Sequence, residues 1–516
     1  MFKKLRIILI APALLLILTV SAFASEFTDV PDSHWAKAEI SDFSLKGIIG
    51  GDGNGTFAPN EVVTREQFAK MFTLTFNMPF RGNNQQSFND VSVDRWSYKY
   101  IEACKAVLNS YPDSSGAESS FKPQDYATRE DIAVSLVKIL GFSENDAADS
   151  DTAVKKFSDN KSISQSLLPY ICIATENALI KGYANGTFAP QKGVTRAEAV
   201  VLLYRAKQAQ INTIIATVGG VEISLEEFSN AVKQSFDYFK SMDFDMSEML
   251  FDKVDGDKTA SDILKDEAMR SFTLFAALDK VANDNNIILT DEDEKIIADK
   301  RIKDIDSSGG YSEFLNNLRF TGVSEGYYNY VNRYSMLYTK INESLFKIGK
   351  PLAPSEESVI SSILNDYVRV KHILIQATEE NTNEKLKIAQ DVLERVKAGE
   401  NFDSLIDEFN EDPGMDTETN GYVFTEGKMA KEFEDASFAL EENQTSEIVK
   451  TNYGFHIINR LELTKEFIEE NIEQYSEEFC QSALQEKLQE TEQDIEVIYT
   501  ERFSRLNLAP ILGVKG

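Results

Sequence analysis

The chain is 516 residues long and 27% charged, with 84 Asp and Glu against 53 Lys and Arg and a formal net charge of −31 at pH 7. That length exceeds a single core and calls for several domains, and so acidic a surface disfavours nucleic acid as a partner. Three cysteines, Cys104, Cys172 and Cys480, lie far apart and supply no disulfide framework.

Residues 1–24 read as a secretory signal, with Lys3, Lys4 and Arg6 as the charged end, Ile7 to Val20 as the apolar stretch and Ala22-Phe23-Ala24 as the cleavage site. The apolar run is short for a membrane span and nothing later approaches one, so no transmembrane segment is expected after cleavage. Ser25 and Glu26 follow the cleavage site, with no cysteine to take a lipid. Attachment to the cell is therefore expected to come from the protein itself.

The next two hundred residues repeat. Phe27-Thr28-Asp29-Val30-Pro31, Phe88-Asn89-Asp90-Val91 and Phe157-Ser158-Asp159 each open a unit, giving units over 25–85, 86–145 and 154–208. Each unit then runs through a helix and a turn ending in Phe to a Thr-Arg motif that opens a second helix. The closing pieces are Gly55-Thr56-Phe57-Ala58-Pro59 with Thr64-Arg65-Glu66-Gln67, Ser120-Phe121-Lys122-Pro123 with Thr128-Arg129-Glu130-Asp131, and Gly186-Thr187-Phe188-Ala189-Pro190 with Thr195-Arg196-Ala197-Glu198. Thr at the N-cap with an acid or amide three residues on is a capping box. The arginine is not explained that way, because a cation in the first turn opposes the helix dipole unless an anion sits nearby. The three units resemble S-layer homology domains over residues 27 to 207. The resemblance implies that Arg65, Arg129 and Arg196, with the first-helix tryptophans Trp35 and Trp96, line grooves for an acidic secondary cell-wall polysaccharide. Unit three has Leu168-Pro169-Tyr170 in place of the tryptophan, and unit two has a longer turn over 112–120, so the best-formed groove motifs lie in units one and three. Asp52-Gly53-Asn54-Gly55 lacks the bidentate Glu of a calcium loop and reads as a tight turn.

From Ile211 the composition shifts. Residues 216–224 read as a hairpin-like start before a helix capped by Ser224, and helices are expected at 225–241, 260–284, 291–304, 311–319, 324–346 and 355–366. The opening Val218-Gly219-Gly220-Val221-Glu222-Ile223-Ser224 resembles the N-terminal region of secreted parvulin foldases, which implies a helical chaperone-like domain over 212–366 that cradles unfolded clients. Core packing is the first expectation for its aromatics Phe236, Tyr238, Phe239, Tyr327, Tyr328 and Tyr330, and a client groove the second. Lys350-Pro351-Leu352-Ala353-Pro354 marks a hinge.

Two of the three histidines sit at the ends of residues 367–463, His372 in Val-Arg-Val-Lys-His-Ile-Leu-Ile and His456 in Thr-Asn-Tyr-Gly-Phe-His-Ile-Ile. Both lie in apolar, β-branched runs that read as buried strands, which could carry the two imidazoles to one place. Between them come helices at about 383–398 and 402–409, Asn410-Glu411-Asp412-Pro413-Gly414, Gly421-Tyr422-Val423-Phe424, and a helical run from Phe433 to Leu440. The order and spacing of His-Ile-Leu, Phe-x-x-Gly-x-Met-x-x-x-Phe-Glu-x-Ala-x-Phe-x-Leu and Tyr-Gly-Phe-His-Ile-Ile resemble the parvulin family of peptidyl-prolyl isomerases. The resemblance implies a four-stranded antiparallel sheet flanked by helices, a polar cluster of His372, Asp412, His456, Thr451 and Tyr453, and an apolar floor of Met429 and Phe433 with Phe424. Asn420-Gly421-Tyr422-Val423 stands where the family has Gly-Asp-Leu-Gly, so Tyr422 or Val423 is expected to fill the place of the missing Leu, and Ala430 stands where Gln is common.

Rotation about an X-Pro bond faces a resonance barrier of about 20 kcal/mol, and a pocket that favours the twisted state needs no metal, cofactor or nucleophile. Asp412 in place of a cysteine points to a non-covalent route. The loop from Gln376 to Thr382 carries no Lys or Arg, which points away from phosphate-directed recognition. After Leu461, a charged helix at 465–491 and a strand at 495–499 are expected to return onto the helical domain, leaving 506–516 as a tail. The chain is thus expected to be multidomain, mainly α with an α+β module. Its expected role is that of a secreted, wall-attached foldase acting on newly exported polypeptides, with a catalytically inactive holdase and an S-layer structural protein as the alternatives.

Overall fold

The computed structural model describes residues 27–80, 86–112, 116, 118–147 and 152–514; the expected signal, residues 1–24, lies outside them. They form two compact units, one from the residues up to Lys280 with Leu289–Met336 and Asp494 onward, the other from Val281–Ile288 and Leu337–Gln493. No helix of the described residues is long and apolar enough to cross a membrane.

In the first unit each repeat contributes two helices: Lys37–Leu45 and Arg65–Thr75, Tyr98–Ala103 and Arg129–Ile139, Leu168–Glu176 and Arg196–Asn212. Thr64, Thr128 and Thr195 cap the second helix of each pair, with reciprocal capping boxes to Gln67 and Glu198 in the first and third. The opening aspartates have one job in triplicate. Asp29 accepts the N–H groups of Phe57 and Ala58, Asp90 those of Phe121 and Lys122, and Asp159 those of Phe188 and Ala189, all at 2.7 Å. The residue after each phenylalanine, Ala58, Lys122 and Ala189, is left-handed with φ of 57°, 54° and 56°. That conformation is unfavourable for an L-residue, and the two charge-assisted bonds from each carboxylate hold it in place. The segments before the three capped helices close a ring, in which Val63 N–H donates to Val194 O, Val194 N–H to Ala127 O, and Ala127 N–H to Val63 O.

The same core continues through the strands Ile214–Val218 and Val221–Ser224 and the helix Leu225–Ser241, which Ser224 caps in a box with Glu227. Val497–Tyr499 pairs antiparallel with Ile214–Val218 as the third strand of that sheet. Residues 506–516, expected to form a tail, instead carry a short helix, Leu508–Leu512, whose five residues are all buried. It packs on Arg129–Ile139 and on Leu225–Ser241. The run is apolar throughout, and burial in the core is the outcome the hydrophobic effect favours for it. The expected helical domain over 212–366 with 464–505 is likewise redrawn, because residues 337–366 and 464–493 fall in the second unit. Two further elements differ from expectation: helix 324–346 ends at Ile341 in a wider turn over Asn342–Phe346, and helix 465–491 is divided at Asn471.

The second unit holds a four-stranded antiparallel sheet. Its module runs β1 (Tyr367–Gln376), α1 (Thr382–Lys397), α2 (Phe402–Phe409), α3 (Gly414–Thr417), β2 (Tyr422–Thr425), α4 (Lys431–Ala439), β3 (Val449–Lys450) and β4 (Gly454–Leu461), with sheet order β2-β1-β4-β3. Side chains alternate between the two faces. Ile373, Ile375, Phe455 and Ile457 pack with Ala389, Val392 and Leu393 of α1 and Leu405 of α2. Val368, Val370 and Ile458 lie on the other face with Phe424, Phe433 and Leu440. Register places His372 opposite Ile458 and His456 opposite Leu374, so the two imidazoles are diagonal neighbours on this second face. Helices Glu356–Asp366, Lys465–Glu470 and Ile472–Gln493 pack beside the module around Val359, Ile360, Ile363 and Ile468.

Candidate active site

The central strands bring His372 and His456 together with their Nδ1 atoms 3.2 Å apart, and each ring uses its other nitrogen on a different partner. His372 Nε2 lies 2.9 Å from Asp412 Oδ2, and His456 Nε2 lies 2.8 Å from Thr451 Oγ1. Both imidazoles and Thr451 are buried. With Asp412 ionised and acceptor-only and both imidazoles neutral, the protons can be arranged in one way. His372 donates from Nε2 to the carboxylate, its bare Nδ1 accepts from His456 Nδ1–H, and His456 Nε2 accepts the Thr451 hydroxyl. Thr451 Oγ1 in turn accepts the backbone N–H of Tyr453 at 3.1 Å.

The titration behaviour agrees with that arrangement. Burial lowers the proton affinity of His372, against the pull of Asp412. Burial and the neighbouring His372 bring His456 down to about 4, with Asp412 offsetting only part. Burial alone would raise the Asp412 carboxyl, yet donors from Tyr422, the Gly414 backbone and His372 hold it below its ordinary value. At neutral pH the site thus holds one carboxylate and two neutral imidazoles.

Phe433 from α4 presents its ring to both imidazoles, with centroids 5.0 Å from His372 and 5.2 Å from His456, and Phe424 lies 6.0 Å behind it. Met429 belongs to the same apolar cluster. Two expected roles change. Tyr422 is not simply apolar floor, because its hydroxyl donates to Asp412 Oδ2 at 2.9 Å. Tyr453 touches the cluster through its backbone N–H, and the residue is 68% exposed. Sequence reasoning also missed Asn410, whose Oδ1 accepts Leu374 N–H at 3.0 Å and whose Nδ2 donates to Asp412 O at 2.8 Å, tying the Asp412 loop to β1. An Asn two residues before the acid, ahead of Pro-Gly, was the available signal.

In the repeats, each arginine reaches into another unit. Arg65, itself buried, donates to Phe121 O at 2.8 Å and Asn109 O at 2.6 Å and pairs with the buried Asp131 at 2.9 Å. Arg129 reaches Lys181 O and lies 4.5 Å from the Tyr183 ring centroid. Arg196, half-buried, donates to Phe57 O at 2.8 Å and Gly50 O at 2.9 Å. Trp35 is 61% exposed and stacks on His34, and Trp96 is 52% exposed against Tyr100. Asp52 accepts the N–H groups of Asn54 and Thr56, which makes its loop a tight turn.

Residues 358–464 match the family model of the PPIC-type PPIase domain, and residues 26–69 and 156–200, in the first and third repeats, match the S-layer homology domain. The chain carries S-layer homology domains and a PPIC-type PPIase domain. It is 33% identical over 180 residues to an S-layer protein of Bacillus licheniformis, covering 35% of this chain and 20% of that one. It is 40% identical over 93 residues to foldase protein PrsA 4 of Bacillus cereus, covering 18% of this chain and 30% of the foldase. The chain therefore spans less than a third of either relative. The crystal structure of PrsA from Bacillus subtilis aligns at 23% identity with a TM-score of 0.25, covering 48% of this chain and 92% of that one.

Proposed function

We propose that this protein is a cell-surface foldase whose PPIC-type domain catalyses cis/trans isomerisation of X-Pro bonds in exported polypeptides, while its S-layer homology repeats hold it to an acidic wall polysaccharide. The observation that carries the reading is the run Thr451–His456–His372, buried, with the half-buried Asp412 at its end, set against the Phe433 ring. A proline ring seated on Phe433 and Met429 would lie beside fixed dipoles that need no reorganisation as the amide twists and loses its resonance. No bond to the substrate forms or breaks in this scheme. The site offers nothing basic to a phosphate: the first cation after β1, Lys385, is paired with Glu411 at 2.7 Å. Recognition is therefore expected to be indifferent to phosphorylation before the proline.

The test is a proline-peptide isomerisation assay on the full chain. The wild type is expected to accelerate exchange, and His372→Ala and Asp412→Asn are each expected to lower kcat/KM by about 10- to 100-fold, the loss set by one charge-assisted hydrogen bond. A wild type no faster than the uncatalysed peptide would leave a client-holding role in place of catalysis.

A further inference from the structure

We propose that Tyr422 is a positioning residue of this site, whose phenol, admitted by Gly414, locks the Asp412 carboxylate in the orientation that fixes the proton arrangement of the histidine pair. The inference rests on the isomerase reading above, and its test is separable from it. Register puts Tyr422 of β2 opposite Val370, two residues from His372 on the same face of β1. Its ring centroid is 5.7 Å from that of His372.

Three donors converge on one carboxylate. Asp412 Oδ2 takes both the Tyr422 hydroxyl and His372 Nε2, each at 2.9 Å, while Oδ1 takes the Gly414 N–H at 3.1 Å. The approach of the phenol depends on the missing side chain at 414, since a Cβ there would stand 1.8 Å from the Tyr422 oxygen. Among the described residues no Lys or Arg pairs with Asp412. The phenol is thus the one strong side-chain donor besides the imidazole. The ionisable groups facing it are Asp412, His372 on β1 and Glu418 in the turn before β2, with His456 one ring further. Burial, reinforced by the Asp412 and Glu418 carboxylates, keeps the phenol protonated, so it acts as a donor throughout the working pH range. Removing that donor leaves the carboxylate hungrier for protons and free to turn away from His372 Nε2.

The chain has only three histidines, so imidazole nitrogen NMR on the full protein can resolve each one. In the wild type at neutral pH, His372 is expected to be protonated at Nε2 alone and His456 at Nδ1 alone. In Tyr422→Phe, which keeps the ring and its packing, the first proton taken up by the His372–Asp412 pair is expected about one pH unit higher. The acid limb of kcat/KM should move with it while KM holds. Gly414→Ala, which retains the phenol but displaces it, should give the same shift. The proposal is overturned if Tyr422→Phe leaves the tautomers and titration of His372 as in the wild type. The NMR readout stands even if the wild type proves to have no isomerase activity.

Discussion

His456 is buried and neutral in the folded chain, with its proton affinity brought down to about 4 by burial and by His372, whereas an unfolded histidine titrates near 6.5. Between those values the unfolded chain binds more protons than the folded one, so stability rises with pH across the window. The stabilisation is complete above about pH 6.5 and is lost as pH falls towards about 4, amounting to about 3 kcal/mol from this residue. Asp412, held below its ordinary value, adds loss in the same direction at still lower pH. Hydrogen exchange of the β4 amides at stepped pH measures this, with protection expected to fall steeply below pH 6.5 in the wild type. A His456→Phe variant, which has nothing to titrate, should show a shallower fall. The two histidines were legible in the sequence from the apolar, β-branched strands that carry them, and Asp412 only from the resemblance to the parvulin family. The phenol of Tyr422 was not, because its partner is set by a turn at Gly414 whose geometry no local pattern encodes.

At the level of elements, the repeats are built on one recurring clamp: an opening aspartate that holds two consecutive N–H groups and a left-handed residue after a buried phenylalanine. In the third repeat, Asp159→Ala would leave the N–H groups of Phe188 and Ala189 without their carboxylate and the φ of 56° at Ala189 without support. Losing charge-assisted bonds of this kind costs about 2 to 4 kcal/mol. Urea unfolding followed by circular dichroism should show a lower midpoint with an unchanged slope, and Asp159→Asn should recover part of the loss, since an amide oxygen can still accept one bond. The Phe-x-Asp openings were visible as a repeat, but sequence alone suggested no task for the acid, since its partners are about thirty residues on. Helix starts were readable from Thr64, Thr195 and Ser224, where capping chemistry is local. Helix ends were less so, as at Ile341 and Asn471, because a break there is decided by packing and not by a Gly or Pro.

Across the whole first unit, the ring of repeats makes its three arginines inequivalent in a way the shared Thr-Arg motif conceals. The fourth motif residue of one repeat serves the arginine of the preceding repeat: Asp131 faces Arg65, Glu198 acts on Arg129, and the position cyclically equivalent for Arg196 is Gln67. Arg65 is thus neutralised from within, its carboxylate partner standing where an external anion would have to go. Among the described residues Arg196 pairs with no carboxylate, feeling Glu61 and Asp29 only through space, and it is half-exposed. On a chain so acidic that a polyanion is repelled overall, the proposed attachment to an acidic wall polymer would have to rest on local cations that no carboxylate neutralises. Two substitutions separate structure from binding. Arg65→Ala removes the cation paired with the buried Asp131, leaving that carboxylate only the neutral donors of Asn109 and Tyr111, and is expected to destabilise the fold by about 3 kcal/mol, with retention on purified wall material unchanged at temperatures where the variant is still folded. Arg196→Ala, which gives up two hydrogen bonds to the carbonyls of Phe57 and Gly50, is expected to lower the unfolding free energy by only about 1 to 2 kcal/mol and yet to lose retention on the same material. If the two variants bind equally well while both remain folded, the wall does not read Arg196, and the exposed Trp35 and Trp96 surfaces become the place to look for the contact.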